Sequence, residues 1–370
     1  MGVGMKRFFG HVAMVMSCGV TCAAPVHADE GGYLGLLRMR DLSPFGFLRL
    51  DMRPAHAVSI EQGKWALEFE LGYQNTWALS KNVEAYLKSL EPGGRHTLSP
   101  ADVQAIRDLP GENYLVDAEV GTLETIVHYK FTDDLAGYAI LGGISYQGGF
   151  LDGTIESFHK SFGFSSFGRP ALRKNEVNFV YDLKSAQLVS FGSPTDGGLL
   201  DPTFGVRYTG LRLPQPWAMS VEAAVKVPID GERQLLSTGR VDYGFQASLQ
   251  RRGTHHALYA NVAAVYYAGA EFPVPQDSQV IPTLILGFEY RLTAKTNVNV
   301  QGYVSKSVYS NKETDLDELT AIKYEYSIGL RHRINNYVLT FGVTENLQNI
   351  NNTPDIGFQL GVAYVPFERP

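Results

Sequence analysis

From residue 64 onward, apolar and polar side chains alternate along the chain. Successive side chains of a strand point to opposite faces, so this pattern reads as extended structure. In Tyr324 to Arg331 one face carries Tyr324, Tyr326, Ile328 and Leu330, and the other Glu325, Ser327, Gly329 and Arg331. Leu284 to Leu292 sets Leu284, Leu286, Phe288 and Tyr290 against Gly287, Glu289 and Arg291. Trp217 to Val227, Val241 to Gln250 and Ile356 to Tyr364 repeat the pattern. The alternating runs last about 10 to 13 residues, which suits a tilted bilayer crossing. Soluble strands are nearer 5 or 6. Tyr and Trp gather at the run ends, as in an aromatic girdle.

The pattern predicts an all-β protein, a transmembrane antiparallel β-barrel. Its strands fall near 64–77, 114–131, 136–148, 174–182, 186–192, 201–212, 217–227, 240–251, 255–267, 281–292, 297–307, 322–334, 337–346 and 355–367, about 14 in all, with 12 as the alternative. Alternation is poorest at 186–192 and 255–267. Short links, such as Asp182-Leu183-Lys184-Ser185 and Asn335-Asn336, alternate with long ones at 78–113, 149–172, 193–200, 228–239, 268–280, 308–321 and 347–354. Short turns on one side and long loops on the other is the outer-membrane arrangement.

Ahead of the strands, residues 1–28 carry a basic pair, Lys6-Arg7, an apolar run from Phe8 to Val20, and Val26-His27-Ala28 at a cleavage position. This predicts a signal peptide, cleaved after Ala28. Cys18 and Cys22 both lie in it, so the exported chain has no disulfide framework and no cysteine nucleophile. Its loss removes Lys6 and Arg7 and no acid, taking the formal charge from −6 to −8. That charge argues against a nucleic-acid partner. A mean hydropathy of −0.11 excludes a bundle of membrane helices but not a barrel. The expected location is the outer membrane of a Gram-negative bacterium.

Three blocks then carry a resemblance: Arg38-Met39-Arg40-Asp41-Leu42-Ser43-Pro44; Leu151-Asp152-Gly153-Thr154-Ile155-Glu156-Ser157-Phe158-His159 with Phe162-Gly163; and Glu222-Ala223-Ala224-Val225-Lys226-Val227-Pro228 with Ser237-Thr238-Gly239. They resemble an uncharacterised outer-membrane β-barrel family known only as a domain of unknown function. More distantly, the chain is similar to the long-chain fatty-acid transporter of outer membranes. The resemblance implies fold and location and brings no catalytic residues. Gln359-x-Gly361-x-x-Tyr364 with Phe367 looks like the terminal signal read by barrel-assembly machinery, although Glu368-Arg369-Pro370 follows it.

The candidate chemistry lies on the polar face, which should line the lumen: Glu68, Glu70, Arg207, Glu222, Lys226, Asp242, Glu289, Arg291, Lys323, Glu325 and Arg331. Both signs are present, so a hydrated path and internal ion pairs are both open readings. Residues 29–58 mix Leu36, Leu37, Phe45, Phe47, Leu48 and Leu50 with Arg38, Arg40, Arg49 and Arg53, a composition suited to a plug, with 59–370 as the barrel. The loop at 78–113 holds two helix signals, Asn82 to Leu90 and a segment opened by Ser99, Pro100 and Asp102, and is placed over the mouth. The loop at 149–172 is rich in Phe; Ile155, Phe158 and Phe162 share a helical face with Glu156 and His159 beside them, so it is expected to fold in as a constriction.

Enzyme readings are poor. Gly143-Ile144-Ser145-Tyr146-Gln147 lacks the last Gly of a nucleophile elbow. His255 and His256 are adjacent and point apart; Glu313, Asp315, Asp317 and Glu318 read as a solvated loop rather than a calcium site. No cofactor and no metal are expected. The expected role is passage of a small solute, with the Phe-rich loop pointing to an apolar one and outer-membrane lipid as surroundings. A lipid-acting enzyme built on His159 and a closed structural or surface-binding barrel are the alternatives.

Overall fold

The computed structural model describes residues 32–54, 62–192, 195–347 and 351–366. The proposed signal segment, its two cysteines and Phe367 lie outside them. In chain order the first strands are β1 (Trp65–Leu79), β2 (Asn113–Lys130), β3 (Leu135–Gln147), β4 (Asn178–Leu183), β5 (Ala186–Phe191) and β6 (Gly197–Leu199). There follow β7 (Thr203–Tyr208), β8 (Trp217–Lys226), β9 (Glu232–Arg233), β10 (Ser237–Thr238), β11 (Asp242–Arg252) and β12 (His256–Tyr267). The last are β13 (Gln279–Arg291), β14 (Thr296–Ser305), β15 (Lys323–Ile334), β16 (Tyr337–Asn346) and β17 (Ile356–Tyr364). The helices are α1 (Lys81–Leu90), α2 (Pro100–Arg107), α3 (Asp152–Phe162) and α4 (Asp317–Thr320).

Twelve strands, β1, β2, β3, β7, β8 and β11 to β17, pair with their neighbours in antiparallel order, and β17 returns to β1 with Leu67 opposite Tyr364. The sheet is therefore closed and has no membrane edge to satisfy. The count is 12, not 14. The segments read as spanning at 174–182 and 186–192 form the hairpin β4–β5, six residues each, too short to cross a bilayer. Asn178 to Asp182 pair with Asn113 to Asp117, so the hairpin extends the wall beyond the membrane. The Asp182–Ser185 link is the tip of that hairpin and not a turn on the short side.

The outer face explains the apolar half of the alternation. Val280, Leu284, Leu286, Phe288 and Tyr290 point outward and are exposed along β13, and Tyr243, Phe245 and Leu249 do the same on β11. Tyr243, Tyr266 and Tyr326 ring the long-loop end; Trp65, Trp217, Tyr290, Tyr337 and Tyr364 ring the other. Ten residues between Val280 and Tyr290 rise roughly 33 Å along the strand, about 25 Å of height at a barrel tilt near 40°. That matches an apolar membrane band.

Candidate functional site: the occupied lumen

Residues 32–54 run inside the barrel. They enter at the short-turn end, where the Tyr33 hydroxyl donates to the carbonyl of Gly253 at 2.5 Å and Asn297 Nδ2 donates to Gly32 O at 2.9 Å. They climb to the long-loop end, where Phe45 packs edge-on against Tyr114 and Tyr309 with ring centroids 6.0 and 6.4 Å apart. The chain then turns back. Leu50 N donates to Asp242 Oδ2 at 2.9 Å, and Gln246 Nε2 donates to Arg53 O at 3.0 Å. By Pro54 it lies beside Arg38 again.

The apolar side chains of this segment fit glycines of the wall. A Cβ built on Gly287 would fall 2.3 Å from Leu36 Cδ2, one on Gly329 or Gly342 would meet Leu37, one on Gly72 would meet Leu42, and one on Gly244 would meet Leu50 and Met52. Leu36, Leu37, Leu42, Leu50 and Met52 are buried. Each is worth about 1.5–3 kcal/mol of burial.

The polar groups fit ion to ion. Arg38 lies on Glu68 at 3.1 Å, which also takes His128 Nε2 at 2.8 Å. Arg40 lies on Glu124 at 3.0 Å, and Arg53 completes the same carboxylate. Lys323 Nζ donates to Asp41 and to Phe45 O, the latter at 2.8 Å. Arg49 reaches Tyr303 and Ser305. Buried pairs of this kind roughly break even against desolvation. The apolar knobs hold the segment, and the ion pairs fix its register.

The structure points all the luminal residues named from the pattern inward. Glu68 pairs with Arg38, and Glu70 accepts from Gln359. Arg207 pairs with Glu222 across the β7–β8 ladder. Lys226 meets Asp242 at 2.9 Å and donates to Leu48 O at 2.7 Å. Glu289 accepts from Leu34 N at 2.7 Å and from Tyr259. Arg331 donates to Leu36 O at 3.1 Å, and Glu325 is buried toward the other, long-loop end of β15. Arg291 sits at the short-turn mouth with its guanidinium 5.8 Å from the Tyr33 ring. The pattern did not single out Glu124 and His128. On β2 from Val120 to Val127 each face mixes apolar and polar residues, Val120, Thr122, Glu124 and Ile126 against Gly121, Leu123, Thr125 and Val127, so inward and outward cannot be separated by hydropathy there. A cavity of about 30 Å³ remains between the segment and the wall, lined among others by Arg40, Arg53, Glu124, Gly142 and Thr203. That is room for about two waters, not a path.

The loop residues sit elsewhere than the sequence reading put them. Tyr73, Asn75 and Trp77 alternate with inward Gln74 and face outside, and α3 starts against that outer face. Leu151 N donates to Glu119 at 2.7 Å and Asp152 accepts from Asn75 at 3.4 Å. Of the constriction residues, Ile155 is buried under the loop, and Glu156 pairs with Arg95 at 2.6 Å and Lys174 at 2.8 Å. His159 lies among Phe158, Phe164 and Phe167, and Phe158 and Phe162 are exposed. None of them enters the lumen. Phe158→Ala and Phe162→Ala should therefore leave ion conductance unchanged in a planar bilayer, within the scatter between preparations. Asp152 is held by Arg169 and Glu156 by two cations, so neither carboxylate is placed as an acid/base partner for His159.

Helices α1 and α2 share this outer position. Ser99 forms a capping box with Asp102, and Val83, Leu87, Val103 and Ile106 pack on Trp77, Leu79 and Leu115. They clad the wall and do not cover its mouth. Among the described residues no group of three or more His, Cys, Asp or Glu is placed to hold a metal ion.

With this geometry in place, the sequence profile of a family described as "Protein of unknown function (DUF3187)" matches residues 102–365. The chain belongs to this family. No curated protein matches it. Among solved structures it is similar to an outer-membrane channel from Pseudomonas putida F1, with a TM-score of 0.51 at 11% identity, covering 85% of this chain and 100% of that one. It is also similar to the NanC porin, with a TM-score of 0.41 at 8% identity, over 80% of this chain and 98% of that one. For the P. putida toluene transporter TodX the values are 0.38, 8%, 84% and 91%. At these identities the likeness speaks for the fold alone, that of an outer-membrane β-barrel. A barrel of this kind belongs in the outer membrane.

Proposed function

We propose that this chain is an outer-membrane channel that carries its own plug, residues 32–54, and passes a small polar solute when the plug is displaced. The observation that supports it is the charge on the wall behind the plug. A lumen meant only to be filled is best lined with apolar side chains, because buried ion pairs return little net stability. Here Glu68, Glu124, Asp242 and Lys323 stand on the strands themselves. They form a surface that water can solvate once Arg38, Arg40, Asp41 and Arg53 move away. Ordering the plug backbone costs about 1–2 kcal/mol per residue, which offsets much of what its leucines contribute. The rings that suggested an apolar cargo lie outside the wall, so a polar cargo fits the lumen better.

The test fills one of the glycine holes. Gly287→Phe puts a ring where Leu36 sits. The refolded variant should show frequent discrete openings in a planar bilayer, at least tenfold more open time than the parent. A folded variant as silent as the parent would count against displacement and favour the closed structural barrel.

A further inference from the structure

We infer that α3 and the residues flanking it form a lipid-seated foot, built on the outside of the barrel to enter the outer leaflet at headgroup level. The inference stands whether or not the lumen opens. Phe158, Phe162 and Phe164 are 44%, 65% and 57% exposed, and their rings touch one another, with centroids 4.7 Å apart for Phe158–Phe162 and 6.2 Å for the near-parallel Phe162–Phe164 pair. Phe150, 68% exposed, stacks on Tyr73 at 5.2 Å and 15°. Tyr73 belongs to the outer face of β1, directly above the exposed Leu71 and Phe69, and pairs across the ladder with Phe358, two residues above exposed Leu360. The aromatic patch is thus continuous with the apolar band of the membrane wall.

The height of the helix is set by its anchors. Phe150 N and Leu151 N both donate to Glu119, the cross-strand partner of Asn75, one outward position above Tyr73. Gly163, left-handed at φ 71°, ends the helix and turns Phe164 back so that its N–H caps His159 O, which brings the third ring beside the other two. Four exposed phenylalanines in one short loop are costly in water and suited to the membrane interface. The charge agrees. Lys160 is exposed on the same helix, and Glu156 beside it is matched by two cations, Arg95 and Lys174, so three cations stand against one carboxylate on this side of the helix, where lipid phosphates would lie. The occupant is therefore the anionic lipid of the outer leaflet.

The whole chain would be refolded into phosphatidylcholine–phosphatidylglycerol vesicles, with a heat-dependent gel shift confirming the barrel. Phe162→Trp adds one indole, and its emission is obtained as the difference from the parent. Acyl chains brominated near the headgroup should quench that emission at least threefold more than acrylamide does, with a shift to the blue. Phe158→Trp supplies a second reporter should Phe162→Trp fold poorly. Adding Lys160→Glu should weaken the lipid quenching by about half. Emission that is red-shifted and open to acrylamide overturns the inference. So does emission shielded from both quenchers, which would mean a second copy of the chain covers the patch.

Discussion

Deleting residues 32–54 should turn a silent barrel into a conducting one. With the segment gone, four guanidiniums, Arg38, Arg40, Arg49 and Arg53, leave the lumen together with only two carboxylates, Asp41 and Asp51. Glu124 loses both guanidiniums and Glu68 loses Arg38 while keeping His128, and both carboxylates become hydrated. Planar-bilayer recordings of the deleted chain should show steady discrete steps where the full chain shows none, a change of well over tenfold in mean current. Within that background, Glu124→Lys should move the reversal potential toward anions, most clearly at low salt, where the Debye length is longest. Conduction unaffected by charge at position 124 would mean that ions take another route. A deleted chain that folds yet stays silent would leave the plug with a purely structural part.

The second large effect concerns the outer wall. Arg169 is almost wholly buried between Asp152 at 2.6 Å, Asn75 at 2.9 Å and Asp355, and its guanidinium lies 4.9 Å from the Trp77 ring centroid. Arg169→Ala strands two carboxylates in a dry site, a loss of about 3–5 kcal/mol of local stability. The barrel should still form and show its gel shift. The loop between β3 and β4 should become open to protease at least a hundredfold faster. The deficit should also depend on pH. Burial raises the carboxyl of Asp355, and Arg169 holds it back. Without Arg169 the folded state binds a proton more readily than the unfolded chain, so stability rises as pH falls. Protection should therefore return in part as the pH is lowered and Asp355 takes up its proton. Protease resistance equal to the parent's at every pH would show that the loop is held by its apolar contacts alone.

Much of this fold could be read in the sequence because a barrel wall writes its two environments on alternate residues. Val280 to Tyr290 and Tyr324 to Arg331 are unambiguous for that reason. The hairpin of β4 and β5 misled because Phe179, Tyr181 and Val180 alternate for a different cause. The first two face the inner core with Tyr114, and Val180 faces the helices outside. Only their length of six residues separates them from spanning strands. The Phe-rich loop misled in another way. An apolar helical face shows that something covers it, but not on which side of the wall that something lies. The inward carboxylates other than Glu124 could be found from the pattern. The ion pairs between wall and inner segment could not be assigned, since Arg38 and Glu68, or Lys323 and Asp41, meet only through the closure of the barrel.

The path of the inner segment has a mechanical consequence. It rises from Gly32, turns between Ser43 and Leu48, and comes back beside Arg38, so both of its arms point to the same mouth. A pull from the short-turn side would load its contacts in sequence, first Tyr33 with Gly253, then Leu34 with Glu289, then Leu37 with Gln301. Contacts that fail one after another yield to far less force than contacts that fail together. The barrel ladder carries none of that load, so peeling the segment away should leave the strand pairing of the wall intact.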